Sequence, residues 1–267
     1  MTADLDPGAP AAPQFLVRPD GSVVGDDGAS GALAAALPYT GRLARRLGEL
    51  VGGGDLRLVE ARGLDQLIVG VTWTPAGEGT FRAVVAPLPQ RAVPSFTVVG
   101  AVDTSAALAH CLDRLSSLGG VEWCSVVTAD SRVIAAKGDR DGLPPLEEVG
   151  NRMLAILRSL EDQHAAGFLR LRFEHGTVVG ASLGRHALVA QMDPAEDDGL
   201  VAMIDEIRAI LAGHDLASVR TATEPEAAVE QPAAAPEPAP APAPLVGARF
   251  GGVAPPRKER RARRFGR

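Results

Sequence analysis

Apolar positions along the chain switch between two periods, and the switches mark its elements. Leu146, Val149, Met153, Ile156, Leu157 and Leu160 recur at spacings of three and four. That spacing predicts one amphipathic helix over residues 145–164, which Gly167 can end. Leu169, Leu171 and Phe173 then alternate with Arg170, Arg172 and Glu174, the period of a half-buried strand. His175-Gly176 turns it, and residues 177–183 and 186–192 predict two further strands. Four acids between Asp193 and Asp198 suit a helix N-terminus, and Leu200, Met203, Ile204, Ile207, Ile210 and Leu211 form that helix's apolar face. Upstream, residues 123–128 and 132–136 read as two strands around the turn residues Ala129-Asp130-Ser131. Before them, Leu108, Cys111, Leu112, Leu115 and Leu118 line a helix over residues 104–118. Asp103 or Thr104 can cap it, and Gly119-Gly120 ends it.

The first half repeats this order without its leading helix. Phe15-Leu16-Val17 and Ser22-Val23-Val24 flank Asp20-Gly21, a hairpin signal. Leu33, Leu37, Leu43, Leu47 and Leu50 predict a helix, stopped by Gly52-Gly53-Gly54. Pro38 either kinks that helix or sits near its start. Residues 55–61 and 67–73 predict two strands around Arg62-Gly63-Leu64-Asp65, and residues 81–86 a third. Leu56-Arg57-Leu58 lines up with Leu169-Arg170-Leu171 at an offset of 113 residues. The matching order of elements points to two copies of one fold, the first truncated.

Composition alters this picture at the ends. Residues 225–244 are nearly all Ala, Pro and Glu, a stiff extended spacer. Residues 245–267 net +7 through eight Lys/Arg against Glu259, so the remainder of a chain of net −6 carries −13. So acidic a body would repel phosphates, which argues against nucleic-acid binding through the folded face. Aromatics make up only 4%, so any core relies on Ala, Val, Leu and Ile. Cys111 and Cys124 fit no metal or redox spacing and read as reduced core thiols. No apolar run reaches the roughly 18 residues of a membrane span. The acidic, Pro-rich start is unlike a signal peptide, and a cytoplasmic location is expected.

No chemistry emerges from the polar residues. The five histidines show no metal-ligand spacing, and Gly52-Gly53-Gly54 lacks the Lys-Ser/Thr of a phosphate loop. No nucleophile stands in order with a base. Catalytic residues, metal and cofactor are therefore expected to be none.

The order helix, strand, strand, helix, three strands, helix over residues 104–212 resembles the roadblock/dynein light chain family, with residues 15–89 as a truncated second copy. The resemblance rests on that pattern, on the long helix rich in small residues and on the central hairpin. It implies an α/β (α+β) fold: two roadblock-like layers, each a five-stranded antiparallel sheet packed by helices. It also implies a non-enzymatic dimerisation platform. Two copies join edge to edge, long helices lie side by side, and small Ras-like GTPases dock on that helix layer. In bacteria, related proteins regulate polarity GTPases. The chain would then not bind GTP itself; its partner would.

On that plan, residues 55–61 would pair with 168–174, with Leu56, Leu58, Leu169 and Leu171 on the dimer-edge strands. The helix at 38–50 would lie beside 145–164 in an internal pseudo-dimer. A homodimer through the second copy is the competing arrangement. Arg42, Arg45, Arg46, Glu148, Arg152 and Arg158 are candidate partner-binding residues, steering a partner by charge; a merely solvated face is the alternative. Domain boundaries fall at a disordered lead (1–14), truncated domain (15–89), connector (90–103), full domain (104–220), Pro/Ala-rich linker (221–244) and disordered basic tail (245–267). In the tail, Arg257, Lys258, Arg260, Arg261, Arg263 and Arg264 suit an anionic membrane surface or an acidic protein, and nucleic acid less well. Peripheral membrane association would follow. The alternative function is a profilin-like or PAS-like ligand-sensing module, or a structural scaffold tethered by the tail.

Overall fold

The computed structural model describes residues 14–25, 31–88, 103–138, 143–164, 167–193 and 198–219. The run Phe96–Val99, most of the acidic run before Asp198, the linker and the basic tail lie outside these residues.

Each period is realised as the element it predicts. In the first half, β1 (Gln14–Val17) and β2 (Val23–Val24) form the hairpin about Asp20-Gly21. Helix α1 (Gly31–Leu50) follows, then β3 (Leu56–Arg62), β4 (Asp65–Trp73) and β5 (Gly79–Pro87). In the second half come α2 (Thr104–Ser116), β6 (Val121–Val127), β7 (Val133–Gly138), α3 (Leu146–His164), β8 (Phe168–Phe173), β9 (Thr177–Leu183), β10 (His186–Met192) and α4 (Asp198–Leu211). Pro38 lies inside α1, which runs on through it from Gly31. The proline removes one helical donor.

The ten strands among the described residues join in one antiparallel sheet ordered β2-β1-β5-β4-β3-β8-β9-β10-β6-β7. Counted outward from the centre, each half runs through its third, fourth, fifth, first and second strand. The halves are thus related by a pseudo-two-fold axis between β3 and β8. Each half contributes five described strands, and β3 and β8 hydrogen-bond and join the two sets into one sheet.

The sheet separates two apolar layers. On one face, α1 and α3 pack over Phe15, Leu56, Val69, Phe81, Leu171 and Phe173. On the other, α2 and α4 cover Cys124, Val126, Phe168, Val179 and Leu188. Among the described residues, that second helix layer comes from the second half. In the first half, Leu16, Ile68 and Val84 on the same sheet face remain half-buried, with no helix over them among the described residues.

Glycines set how low the helices sit. A Cβ on Gly41 would stand 2.5 Å from Phe81, one on Gly48 2.6 Å from Phe173, and one on Gly150 2.4 Å from Val127. These rings and methyl groups fill the helix side where a side chain would otherwise be. Cys111 and Cys124 are buried free thiols, and burial pushes them up to about 11 and about 12.

Candidate interaction surface

The surface with the most regular construction is the helix pair α1 and α3. Leu33, Leu37, Ala44 and Leu47 turn one face of α1 to the sheet, and Val149, Met153, Ile156 and Leu160 do the same for α3. The flanks meet: the hydroxyls of Thr40 and Ser159 lie 2.8 Å apart. Glu148 is close enough to Arg46 to favour its charged form, after the larger effect of Glu49. Thr40 therefore faces the end of α3 and Arg46 its start, so the helices run antiparallel.

The six candidate partner-binding residues do not form one cluster. Arg42 and Arg158 are exposed. Arg46 is exposed and bonded to Glu49 at 2.6 Å, while Arg152 reaches Glu148 at 3.5 Å. Arg46, Glu148 and Arg152 thus lie together where the end of α1 meets the start of α3. Arg158 stands apart, in a cleft with Glu161, Ser182 and Arg185 by the β9–β10 turn. Arg45 is half-buried against its own chain. Its Nε donates to Asp55 at 3.1 Å, and its guanidinium stands 5.0 Å from the Trp73 ring centre. Periodicity places a residue on a polar flank; Trp73 and Asp55, brought in by the sheet, decide where the arginine bends.

The edge strands meet at the seam. Val59 lies opposite Leu171, Ala61 opposite Leu169 and Leu56 opposite Phe173. Leu56, Leu169 and Leu171 face the α1/α3 core, but Leu58 does not. The ladder shifts between Leu56 and Leu58, and this bulge places Leu58 opposite Arg172, on the other face. The expected like-for-like match of Leu56-Arg57-Leu58 with Leu169-Arg170-Leu171 therefore fails at its third residue.

Ion pairs also cross the seam. Arg57 bonds Glu174; the Asp55 amide, and then Arg57, hold the Glu174 carboxyl below the usual carboxylate range. Arg170, read as exposed from its alternation, is buried beside an equally buried Glu60. No sequence signal marked Glu60, because the bulge that sets its face is invisible in the period. The tail residues Arg257, Lys258, Arg260, Arg261, Arg263 and Arg264 lie outside the described residues.

The second half shows the element order given above for roadblock domains, and the halves join edge to edge with their long helices side by side. The fold is roadblock-like. Among solved structures, the chain is similar to Myxococcus xanthus MglB, at 15% identity and a TM-score of 0.35, covering 43% of this chain and 92% of that one. A Roadblock/LC7 domain from Streptomyces avermitilis matches at 14% identity and a TM-score of 0.32, covering 39% and 89%. Strand order and helix placement define the fold. No family model matches the chain, and no curated protein matches it.

Among the described residues, no group of three or more His, Cys, Asp or Glu could hold a metal ion. No described helix is long and apolar enough to cross a membrane.

Proposed function

We propose that the chain is a protein-interaction platform whose α1/α3 layer binds a small Ras-like GTPase and regulates or scaffolds it. The observation supporting this reading is the pairing of the two long helices on one face of a continuous sheet. Together they offer a ridge of mixed charge, Arg42, Arg46, Glu148 and Arg152, on a rigid base. Such a ridge suits recognition steered by charge. The chain's own part is to position the partner; the nucleotide belongs to the partner.

The test is affinity capture with the immobilised full chain from the native lysate, run once with a non-hydrolysable GTP analogue and once with GDP. A small GTPase retained in one nucleotide state only is the expected outcome. The double variant Arg42→Glu/Arg46→Glu should lose it without loss of thermal stability, because both side chains are exposed. Capture of no GTPase in either state sinks the proposal.

The basic tail, on this reading, tethers the platform to an anionic membrane surface or an acidic protein. Release of the chain from anionic vesicles on deleting residues 245–267 would support the membrane form of that tether.

A further inference from the structure

The seam carries opposite charges at matched depth. Glu60 on β3 lies directly opposite Arg170 on β8, and the two are 5% and 7% exposed. Arg170 Nη1 donates to Glu60 Oε2 at 3.3 Å. Arg62 Nε and Gln66 Nε2 donate to Glu60 Oε1 at 2.6 and 2.9 Å. Arg62 and Arg170 each stand 5.9 Å from the Phe168 ring centre. Both carboxylate oxygens of Glu60 are therefore engaged in a site that excludes most water.

A buried ion pair of this kind adds little net stability, because desolvation offsets the attraction. Its larger effect is to discriminate between partners, through both a favourable match and a penalised mismatch. The relevant competitor is a second copy of β8 in place of β3. In the present seam Leu171 sits opposite Val59, with Arg172 opposite Leu58 and Arg170 opposite Glu60. Two β8 strands joined antiparallel about Leu171 would instead place Arg170 of each opposite Arg172 of the other. Recentring on Arg170 or on Arg172 sets that arginine against its own counterpart. A shift of one residue in pairing would turn the apolar side chains to the wrong face. All three centres thus bring like charges into direct opposition, which is destabilising across a strand pair.

We propose that Glu60 is the specificity determinant of the seam, making β3, and not a second β8, the edge that β8 accepts. Arg170 and Arg172 reject a second copy. The consequence for binding is an asymmetric platform. One chain presents one α1 and one α3, with different side chains, so a partner meets a single orientation where a homodimer would offer two equivalent ones. The inference is independent of which partner binds the helix layer.

The test is the solution mass of the full chain by light scattering after size exclusion. The unaltered protein should run at the mass of one chain, 27.6 kDa. Arg170→Glu sets two carboxylates against each other in the seam, yet in a β8–β8 joint about Leu171 it places the new carboxylate of each chain opposite Arg172 of the other. It should therefore shift the protein to the two-chain mass. Arg57→Glu, which breaks only the exposed seam pair with Glu174, should stay at one chain. If circular dichroism shows Arg170→Glu unfolded, Glu60→Gln is read by hydrogen exchange instead. Amides of β3 and β8 should then exchange about tenfold or more faster, as expected for loss of a charged hydrogen-bond partner, while β6 and β7 hold their rates. A two-chain mass for the unaltered protein overturns the proposal. So does a folded Arg170→Glu at one-chain mass, or unchanged exchange in Glu60→Gln.

Discussion

Replacing Gly48 by alanine tests the close approach of α1 to the seam. Inside a helix this change ordinarily stabilises by about 1 kcal/mol, since alanine gives up less backbone freedom. Here the added methyl carbon would lie 2.6 Å from Phe173 Cε1 and 2.8 Å from the Gly54 carbonyl oxygen, well inside normal contact distance. Phe173 could yield by turning its ring, but it is buried and faces the α1/α3 core. The Gly54 carbonyl is backbone and cannot rotate away. The upper end of the overpacking range, about 3 kcal/mol, therefore applies. Set against the propensity gain, the net loss is about 2 kcal/mol, a fall in Tm of about 4–8 °C for a domain of this size. Differential scanning calorimetry on Gly48→Ala measures it. Gly70→Ala, where no described atom lies within 4 Å of the new carbon, is the control and should hold or raise Tm. An unchanged or higher Tm for Gly48→Ala would refute the reasoning, because the helix could then lift off the sheet at no cost.

Two other predictions read the seam and the thiols. Leu171→Ala empties a fully buried site and should cost about 2–5 kcal/mol in urea unfolding. Leu58→Ala, on the far face beside Arg172, should cost less than about 1 kcal/mol; equal costs would argue against the bulge. Cys111 and Cys124 titrate near 11 and 12 in the folded chain, from an ordinary value of 9.0. The unfolded chain thus loses its thiol protons first, and the stability these thiols contribute is complete below pH 9 and declines as pH rises through 11. Tm measured from pH 8.5 to 11 should fall less steeply in Cys111→Ala/Cys124→Ala than in the unaltered protein. Parallel slopes would mean that the thiols play no part.

Much of the architecture was legible in the chain itself. The three-four spacing from Leu146 to Leu160, the alternation from Leu169 to Phe173 and the Asp20-Gly21 turn each report a local preference. A local preference survives folding when the tertiary contacts agree with it. The matching order of elements in the two halves carried the repeat, whereas the pairing of β3 with β8 was implied only by the resemblance to the roadblock family.

Only the tertiary structure decided which faces those strands present to each other. One extra residue at Arg57-Leu58 turns Leu58 away from the core and sets Glu60 against Arg170. The period of two cannot reveal this, because an inserted residue shifts the face of everything beyond it while leaving composition unchanged. Arg170 reads as solvent-facing in a single strand and is buried in the sheet, since Glu60 reaches it from β3 and the Phe168 ring stands beside it. Arg45 likewise leaves its helix flank for Trp73 and Asp55. The pattern of a chain determines which side of an element is apolar. The identity of the neighbour that covers the polar side depends on residues more than a hundred positions away, as with Glu60 and Arg170, and only folding brings them together.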